Sequence, residues 1–281
     1  MKTNRRTRLT TIVFWRRLVQ FSVLAAIFVI PWMNVHKIYF AKGTFYSLDV
    51  GDIAVADPVA VFQVMLTSAL ISSAMLASLV VPLLLMLILG RVWCSWLCPY
   101  YLFSDLIAGM RRRLGLRAVP TNARLQSASR ANIFRYGFLL AGLLVVGIAG
   151  VPLLTLILPP GLISSQALVL VKFGTLTFEI AIILTLLMVE AFYAPRFWCR
   201  LFCPTGTCLS FFKTERGMHI TLDDAKCSQC GQCAKVCPMG LDPRTEGNNA
   251  LCHNCGDCID HCPAAQRGKS LCFGFGSEPG K

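Results

Sequence analysis

Four long apolar stretches dominate the pattern of the chain, at residues 18–33, 64–90, 136–158 and 173–192. Only two ionisable side chains, those of Glu179 and Glu190, fall within them. A helix needs about 20 apolar residues to cross the hydrocarbon core of a bilayer, and the last three stretches meet that length. The pattern therefore predicts four transmembrane helices separated by polar surface segments.

The first stretch is the shortest, and the arginines before it allow a second interpretation. Residues 18–33 resemble the apolar core of a signal peptide, with Arg5-Arg6 or Arg16-Arg17 imitating a twin-arginine signal. No small-x-small cleavage site follows the end of this stretch at Pro31-Trp32-Met33-Asn34. We therefore expect an uncleaved helix.

Composition and charge agree with a membrane protein. Of 281 residues, 55% are hydrophobic and 15% are charged, whereas a soluble domain carries roughly 25% charged residues. The net charge of +13 comes mainly from cations before the first stretch, between the second and third, and after the fourth. The other two loops, 34–63 and 159–172, hold few cations. This positive-inside pattern places both termini in the cytoplasm and argues against nucleic acid as the partner.

The membrane part contains an internal repeat. Residues 91–99 (RVWCSWLCP) and 196–204 (RFWCRLFCP) share five of nine positions, and each copy follows a long apolar stretch. The repeat predicts two helix hairpins in parallel orientation. After the first copy, apolar residues spaced along 101–114 predict an amphipathic helix lying on the inner membrane surface.

A cysteine-rich segment follows the last apolar stretch. Cys227, Cys230, Cys233 and Cys237 precede Pro238 in a C-x2-C-x2-C-x3-C-P pattern, which repeats in full at Cys252, Cys255, Cys258, Cys262 and Pro263. This is the two-cluster bacterial ferredoxin signature, in which the fourth cysteine of each motif ligates the other cluster. Structural zinc is the alternative, but it usually takes separated ligand pairs. We expect one [4Fe–4S] cluster on Cys227, Cys230, Cys233 and Cys262, and a second on Cys252, Cys255, Cys258 and Cys237.

Two further cysteine pairs, Cys94/Cys98 and Cys199/Cys203, form C-x3-C-P elements in the two copies of the repeat. Positions four apart share a helix face, so facing repeats would bring four sulfurs together at the inner membrane boundary. Nearby Arg91, Arg196 and Arg200 would favour thiolates. We interpret these pairs as a redox or metal-binding thiolate site. The alternative is that they pack as small apolar side chains.

Other candidate residues each have a simpler interpretation. Glu190 and Glu179 lie within an apolar stretch, where an ionisable group suggests function, although Glu190 could instead pair with Arg196. His36 could bind a quinone headgroup or be an ordinary loop histidine. Cys208 and Cys272 match no ligand spacing, and we expect spare thiols. We expect supporting or surface roles for His253 and His261, beside the cluster cysteines.

Together, residues 16–20 (RRLVQ), Pro31-Trp32, Asp57-Pro58, 94–99 (CSWLCP), 198–206 (WCRLFCPTG) and the double ferredoxin motif resemble the NapH/MauN-type membrane ferredoxin proteins. Related modules occur in nitrous-oxide reductase maturation proteins and a copper-handling oxidase assembly protein. The resemblance implies quinol oxidation and electron delivery towards a periplasmic redox enzyme, such as nitrate reductase or methylamine dehydrogenase systems, often through another iron–sulfur or cytochrome subunit.

These observations give one expected architecture. It is a four-helix transmembrane domain at 1–217, a cytoplasmic α+β ferredoxin-like domain at 218–272 and a tail at 273–281, in a bacterial inner membrane. We expect a quinol dehydrogenase subunit that uses two [4Fe–4S] clusters and the membrane quinol pool, with the thiolates of the C-x3-C-P pairs as an extra metal site. The alternative is a copper reductase or assembly factor, since soft sulfur ligands select Cu(I). A third option is a membrane anchor that only docks an oxidoreductase.

Overall fold

Helices form most of the chain, which a computed structural model describes at residues 11–38, 41–44, 47–50, 53–115, 128–193, 195–214, 216–263 and 270–276. The first helix, α1, spans Ile12–Val35. A three-stranded antiparallel sheet follows, in the order β1 (Ala41–Thr44), β2 (Ser47–Val50) and β3 (Ile53–Ala56). Strand β1 packs along α1, and β3 packs along a later helix.

The membrane part continues with two similar helix series. The first comprises α2 (Pro58–Ser68), α3 (Ser73–Leu89), a π-helical turn at Trp93–Leu97 and α4 (Pro99–Arg113). The second comprises α5 (Ala128–Ala149), a 3-10 turn at Leu153–Ile157, α6 (Pro159–Phe173), α7 (Glu179–Phe192), α8 (Phe197–Leu201) and α9 (Pro204–Phe211).

The two series interlock. Helix α2, from the first series, packs against α5 and α9 of the second. Helix α6, from the second series, packs against α4 of the first and also against α1, which precedes both series. Each C-x3-C-P motif follows a pair of short helices, α2–α3 or α6–α7. The repeated unit also includes the motif and the helix after it, so it is larger than the hairpin expected from the sequence.

The stretch 64–90 does not form one helix, so the expectation for it was wrong. Helix α2 ends at Ser68, Ala69 adopts a left-handed conformation with φ of 51°, and Ser72 caps α3 by accepting the N–H of Met75. The side chains of Thr67 and Ser68 bond back to carbonyls of α2. Short polar side chains favour helix ends in this way, although they barely lower the hydropathy on which the expectation rested.

The third and fourth stretches also differ from the expected helices. Helix α5 stops at Ala149, before Gly150 with φ of 66° and Pro152, which cannot continue it. Segment 159–172, expected as a loop, is helix α6, which begins at Pro159-Pro160 because proline suits the first helical position. Helix α7 begins only at Glu179.

The expected surface helix corresponds to α4, but its first half is buried. Tyr101 and Leu102 are fully buried, and α4 packs against α6 and α7. Met110 and Leu114, near its end, are exposed. Only the second half of the helix matches the expectation of a surface location.

Two of the described helices are long and apolar enough to cross a membrane, namely Ile12–Val35 and Arg130–Ala149. A third span results if the bent pair Glu179–Phe192 and Phe197–Phe211 is taken together. Large apolar side chains such as Ile133, Leu140 and Ile148 on α5 are exposed. Such a surface is suited to lipid, and we describe the chain as a membrane protein.

The ferredoxin-like domain is small and built from two similar halves. Strands β4 (His219–Leu222) and β5 (Leu271–Gly274) pair antiparallel, with His219 opposite Gly274. Short helices α10 (Gln232–Val236) and α11 (Asp257–Asp260) lie within the first and second cysteine motifs. Because β5 continues through Gly274, the ordered domain extends two residues beyond the expected boundary at 272.

Candidate iron–sulfur and thiolate sites

Cysteines from both ferredoxin motifs line one cavity that is partly open to solvent. Cys252, Cys255 and Cys258 come from the second motif, and Cys237 is the last cysteine of the first. Four cysteine thiols are the ligand set that a [4Fe–4S] cluster takes. We call these four residues the membrane-proximal site, and the sharing of ligands between motifs stays a prediction.

The remaining cysteines of the two motifs, Cys227, Cys230, Cys233 and Cys262, form what we call the outer site. Cys233 and Cys262 are buried in one apolar cluster with Ile220 and Leu271. Cys230 is exposed, and the backbone N–H of Gln232 lowers the pKa of its thiol. The outer site thus has one edge accessible from solvent.

Both motifs share an unusual backbone conformation. Gln229 and Asn254, which occupy equivalent positions between the first two cysteines, each have φ of 51°, and Gly231 and Gly256 are also left-handed. Two left-handed residues, two positions apart in each motif, turn the chain tightly, so that closely spaced cysteine sulfurs can face one centre. Such backbone nests also direct N–H groups towards anions.

Burial keeps several ligand thiols protonated in the absence of metal. It raises the pKa of Cys237 to about 11, and it raises the pKa of Cys258 further. Metal binding must therefore displace protons from these thiols, as is general for thiolate ligands.

The four C-x3-C-P cysteines lie near one another across the repeat. Cys98 and Cys199 pack against one apolar cluster. Arg91 Nη2, which donates to Cys94 Sγ, lies beside Gly206, whose N–H donates to Cys203 Sγ. The expected helical geometry was wrong, because Cys94 lies in the π-helical turn and α8 ends before Cys203. Within the described residues, no three His, Cys, Asp or Glu side chains are grouped closely enough to hold a single metal ion.

Arg91 and Arg196, which lie beside these motifs, have different partners. Arg91 donates through Nη2 to Cys94 Sγ at 3.7 Å. Arg196 pairs with Asp105 at 2.8 Å, and its guanidinium lies 3.9 Å from the centre of the Tyr101 ring. Asp105 also pairs with Arg16 and Arg17, so this carboxylate joins α1, α4 and the second motif.

The membrane-proximal site is bound directly to the first C-x3-C-P motif. Ser95 Oγ donates to the carbonyl of His253, and Trp96 Nε1 donates to that of Asn254 at 3.2 Å. Asn254 Nδ2 in turn donates to the carbonyl of Leu89 at 2.9 Å. The Tyr101 ring meets the His253 ring edge to face, with ring centres 5.1 Å apart.

Helix α1 supplies a second attachment. Arg16 Nη1 donates to the carbonyl of Cys255 at 2.7 Å and pairs with Asp257. The backbone N–H groups of Ile12 and Val13 donate to the carboxylate of Asp260. The segment that carries Cys252, Cys255 and Cys258 therefore also holds the ferredoxin-like domain on the membrane part.

Glu190 lies beside the C-x3-C-P cysteines. Its carboxylate accepts hydrogen bonds from Ser104 Oγ and from the backbone N–H of Trp198. The suggested ion pair between Glu190 and Arg196 is not formed, since Arg196 binds Asp105. Glu179 is the first residue of α7, and its carboxylate accepts a hydrogen bond from Ser165 Oγ.

The other candidates occupy separate places. The His36 ring contacts the Trp32 ring in a tilted arrangement at the end of α1, with ring centres 4.5 Å apart. Cys208 is buried in an apolar cluster, and Cys272 is exposed on β5. His261 is exposed, whereas His253 is buried, and burial together with Arg91, Arg196 and Arg16 lowers the pKa of His253.

Sequence reasoning missed the residues that join the two parts, above all Ser95, Asn254, Asp105 and Asp260. Asn254 had a usable signal, because it stands at the same position of its motif as Gln229. The contacts of Ser95 and Asp105 depend on the tertiary arrangement and have no local signature.

Fold and sites define a membrane protein that carries a ferredoxin-type iron–sulfur domain. A family model described as a 4Fe-4S binding domain matches residues 73–117 and 176–213, the two copies of the C-x3-C-P repeat. A second, described as a 4Fe-4S dicluster domain, matches residues 219–263. No solved structure matches the chain.

The relatives agree with this class. The ferredoxin-type protein NapH of Haemophilus influenzae is 29% identical over 80% of this chain and 74% of its own length. The methylamine utilization ferredoxin-type protein MauN of Methylobacillus flagellatus is 25% identical, over 79% and 74%. NapH of Escherichia coli is 27% identical, over 79% and 73%. The chain is thus a ferredoxin-type electron-transfer protein homologous to NapH and MauN, which confirms the resemblance seen in its sequence.

Proposed function

We propose that the protein is a quinol dehydrogenase subunit of a bacterial inner membrane. Reduced thiols cannot accept electrons, so electrons from membrane quinol would pass through a redox group held by the C-x3-C-P cysteines to the membrane-proximal site and then to the outer site. The observation that carries this proposal is the direct attachment of the proximal ligand segment to the first C-x3-C-P motif through Ser95, Trp96 and Asn254. Electron transfer requires that successive redox centres lie close together, and these hydrogen bonds hold the two sites against each other.

The ferredoxin cysteines support the presence of two clusters. When bound, a [4Fe–4S] cluster supplies a one-electron acceptor, so the two electrons of one quinol would be divided between two such centres. The chain's role is to hold the proximal site against the membrane part and to expose Cys230 of the outer site. A further iron–sulfur or cytochrome subunit would take electrons at that exposed edge and lead them towards a periplasmic enzyme, as in nitrate reduction or methylamine oxidation.

Quinol oxidation also releases two protons, and Glu190 is placed to accept one. Its carboxylate is buried beside the second C-x3-C-P motif and contacts the N–H of Trp198, next to Cys199. We expect Glu190→Gln to slow reduction by quinol while leaving reduction by dithionite unchanged.

The topology remains part of the proposal. We place four membrane passages in the chain and both termini in the cytoplasm, since the cations cluster in residues 91–135, before α1 and after α7. A reporter enzyme fused after Gly217 should therefore report a cytoplasmic location, and periplasmic reporter activity would refute the orientation.

The central test is anaerobic purification followed by titration with a quinol and electron paramagnetic resonance. We expect quinol to reduce the clusters and to be oxidised in stoichiometric amount. Clusters that dithionite reduces but quinol does not would favour a docking anchor. Copper bound in stoichiometric amount after mild purification, and lost in Cys94→Ser, would favour a copper-handling role.

A further inference from the structure

Equivalent residues of the two C-x3-C-P motifs contact the two ligand segments of the same cluster site. Ser95 follows the first cysteine of its motif, and Arg200 follows the first cysteine of the other. Ser95 Oγ donates to the carbonyl of His253, in the segment of Cys252 and Cys255. Arg200 instead packs against the segment after Cys237, where Nη1 would stand 2.7 Å from a Cβ placed on Gly240.

The guanidinium of Arg200 is buried without a carboxylate partner. Only 4% of the residue is exposed, and Nε and Nη2 have no hydrogen-bond partner among the residues that the structure describes. The groups whose negative charge would act on this guanidinium are Cys237, once it is deprotonated, and Glu246. Leu201, the next residue, packs in one apolar cluster with Cys237 and Cys252, which fixes this end of α8 against the site.

A buried cation that lacks an anion loses several kcal/mol of hydration. A group of the cluster site that can oppose the charge of Arg200 is the Cys237 thiolate that forms when metal binds. Cationic N–H groups near cluster sulfurs withdraw electron density, and hydrogen bonds and net charge are among the factors that set cluster potentials. Arg16 and Arg244, which also lie near cluster sites, differ because each has a carboxylate partner: Asp257 pairs with Arg16 at 3.1 Å, and Asp242 pairs with Arg244 at 2.6 Å.

We infer that Arg200 sets the reduction potential of the membrane-proximal cluster through the Cys237 thiolate, making this cluster easier to reduce than it would be without the arginine. Reduction adds one electron to an already anionic cluster–thiolate group, and the adjacent positive charge stabilises the product more than the reactant. The inference rests on the proposed cluster at this site. It does not depend on quinol as the donor.

The test is a redox titration with chemical mediators and dithionite, followed by electron paramagnetic resonance. The signal of the outer cluster is assigned with Cys230→Ser, which changes its exposed ligand. In Arg200→Gln, the reduction equilibrium of the proximal cluster should fall on the order of tenfold, which is about 59 mV for one electron. Arg200→Lys, which keeps the charge, should restore at least half of this shift.

Three controls separate an electrostatic effect from general damage. Ser95→Ala removes the hydrogen bond to the His253 carbonyl without removing a charge. Arg244→Gln removes a cation that Asp242 already pairs with. Neither variant should shift the reduction potential of the proximal cluster. Iron content should stay at about eight atoms per chain in every variant except Cys230→Ser, as two intact clusters require. An unchanged potential in Arg200→Gln, equal shifts of both clusters, or a lysine variant that behaves like the glutamine variant would overturn the inference.

Discussion

Thr205 Oγ1 donates a hydrogen bond of 2.8 Å to Asp57 Oδ2, in the buried part of the bundle. Asp57 caps α2 by accepting the backbone N–H of Val59, while Thr205 follows Cys203-Pro204. The bond therefore places the start of α2 beside the second C-x3-C-P motif. Segment 34–63 was expected as a loop on the opposite membrane side, and its end was wrongly assigned there.

The first prediction concerns this contact. Thr205→Val keeps the shape of the side chain but leaves a buried carboxylate oxygen without its donor, which costs about 1–3 kcal/mol of unfolding free energy. We expect a lower midpoint of thermal unfolding in detergent. Thr185→Val is the matched control, because Thr185 is exposed and its hydroxyl bonds only within α7. Equal midpoints for the two variants would show that the contact is not formed.

Sequence predicted the fold where its signal is local. The spacing of cysteines around Cys227 and Cys252 identified the ferredoxin-like domain, and the repeat at Cys94 and Cys199 identified the two motifs. Hydropathy failed at α2 and α6, since short helices paired with a second helix look like one long stretch or a loop. Breaks such as Ala69 depend on backbone bonding of serine and threonine, which hydropathy scales weight weakly.

A second prediction concerns the sharing of ligands between motifs. Cys237→Ser should damage the membrane-proximal cluster and leave the outer one, although Cys237 belongs in sequence to the motif of Cys227. The reason is that Cys237 lines the cavity of Cys252, Cys255 and Cys258. Iron analysis and electron paramagnetic resonance should show loss of one cluster signal.

The control is Cys272→Ser, which replaces an exposed thiol on β5 and should keep both clusters. Loss of the outer cluster alone in Cys237→Ser would mean that each motif binds its own cluster with all four of its cysteines.

A third prediction concerns the attachment of α1. Asp260 accepts the N–H groups of Ile12 and Val13, so its charge opposes the positive end of the α1 dipole. Asp260→Ala should weaken this attachment by about 0.5–2 kcal/mol, the usual cost of losing a helix cap. Limited proteolysis should then cleave faster in residues 1–12 or between the domain and the bundle.

Asp224→Ala is a suitable comparison, because Asp224 is an exposed carboxylate in a short 3-10 turn of the same domain. Its cleavage rate should equal that of the unaltered protein. If both variants are cleaved at one rate, Asp260 does not hold α1.

The functional sites were less predictable than the fold of the small domain. The eight ferredoxin cysteines carry a spacing code, whereas the attachment by Ser95 and Asn254 arises only after the domain has docked. Asp105 illustrates the same difficulty, because Arg16, Arg17 and Arg196 reach it from α1 and from the turn before α8. Its role follows from three distant parts of the chain meeting, and a single sequence shows no periodicity for that.

The last prediction tests the C-x3-C-P cysteines as one redox site. Cys98 and Cys199, one from each motif, pack against the same apolar cluster, and the proximal ligand segment is attached to the first motif through Ser95. The double variant Cys94→Ser with Cys199→Ser should retain about eight iron atoms in the ferredoxin-like domain. It should nevertheless lose reduction by quinol, because the step between the membrane and the proximal site is removed.

The matched control for that double variant is Cys208→Ser, which alters a buried thiol outside both motifs, in the cluster of Val59 and Leu139. It should keep reduction by quinol, even if burying a hydroxyl there lowers stability somewhat. Dithionite should reduce the clusters in both proteins, which separates a missing electron path from missing clusters. Full quinol-dependent reduction in the double variant would return the four cysteines to a packing role, since thiols that serve only as small apolar side chains are dispensable for electron transfer.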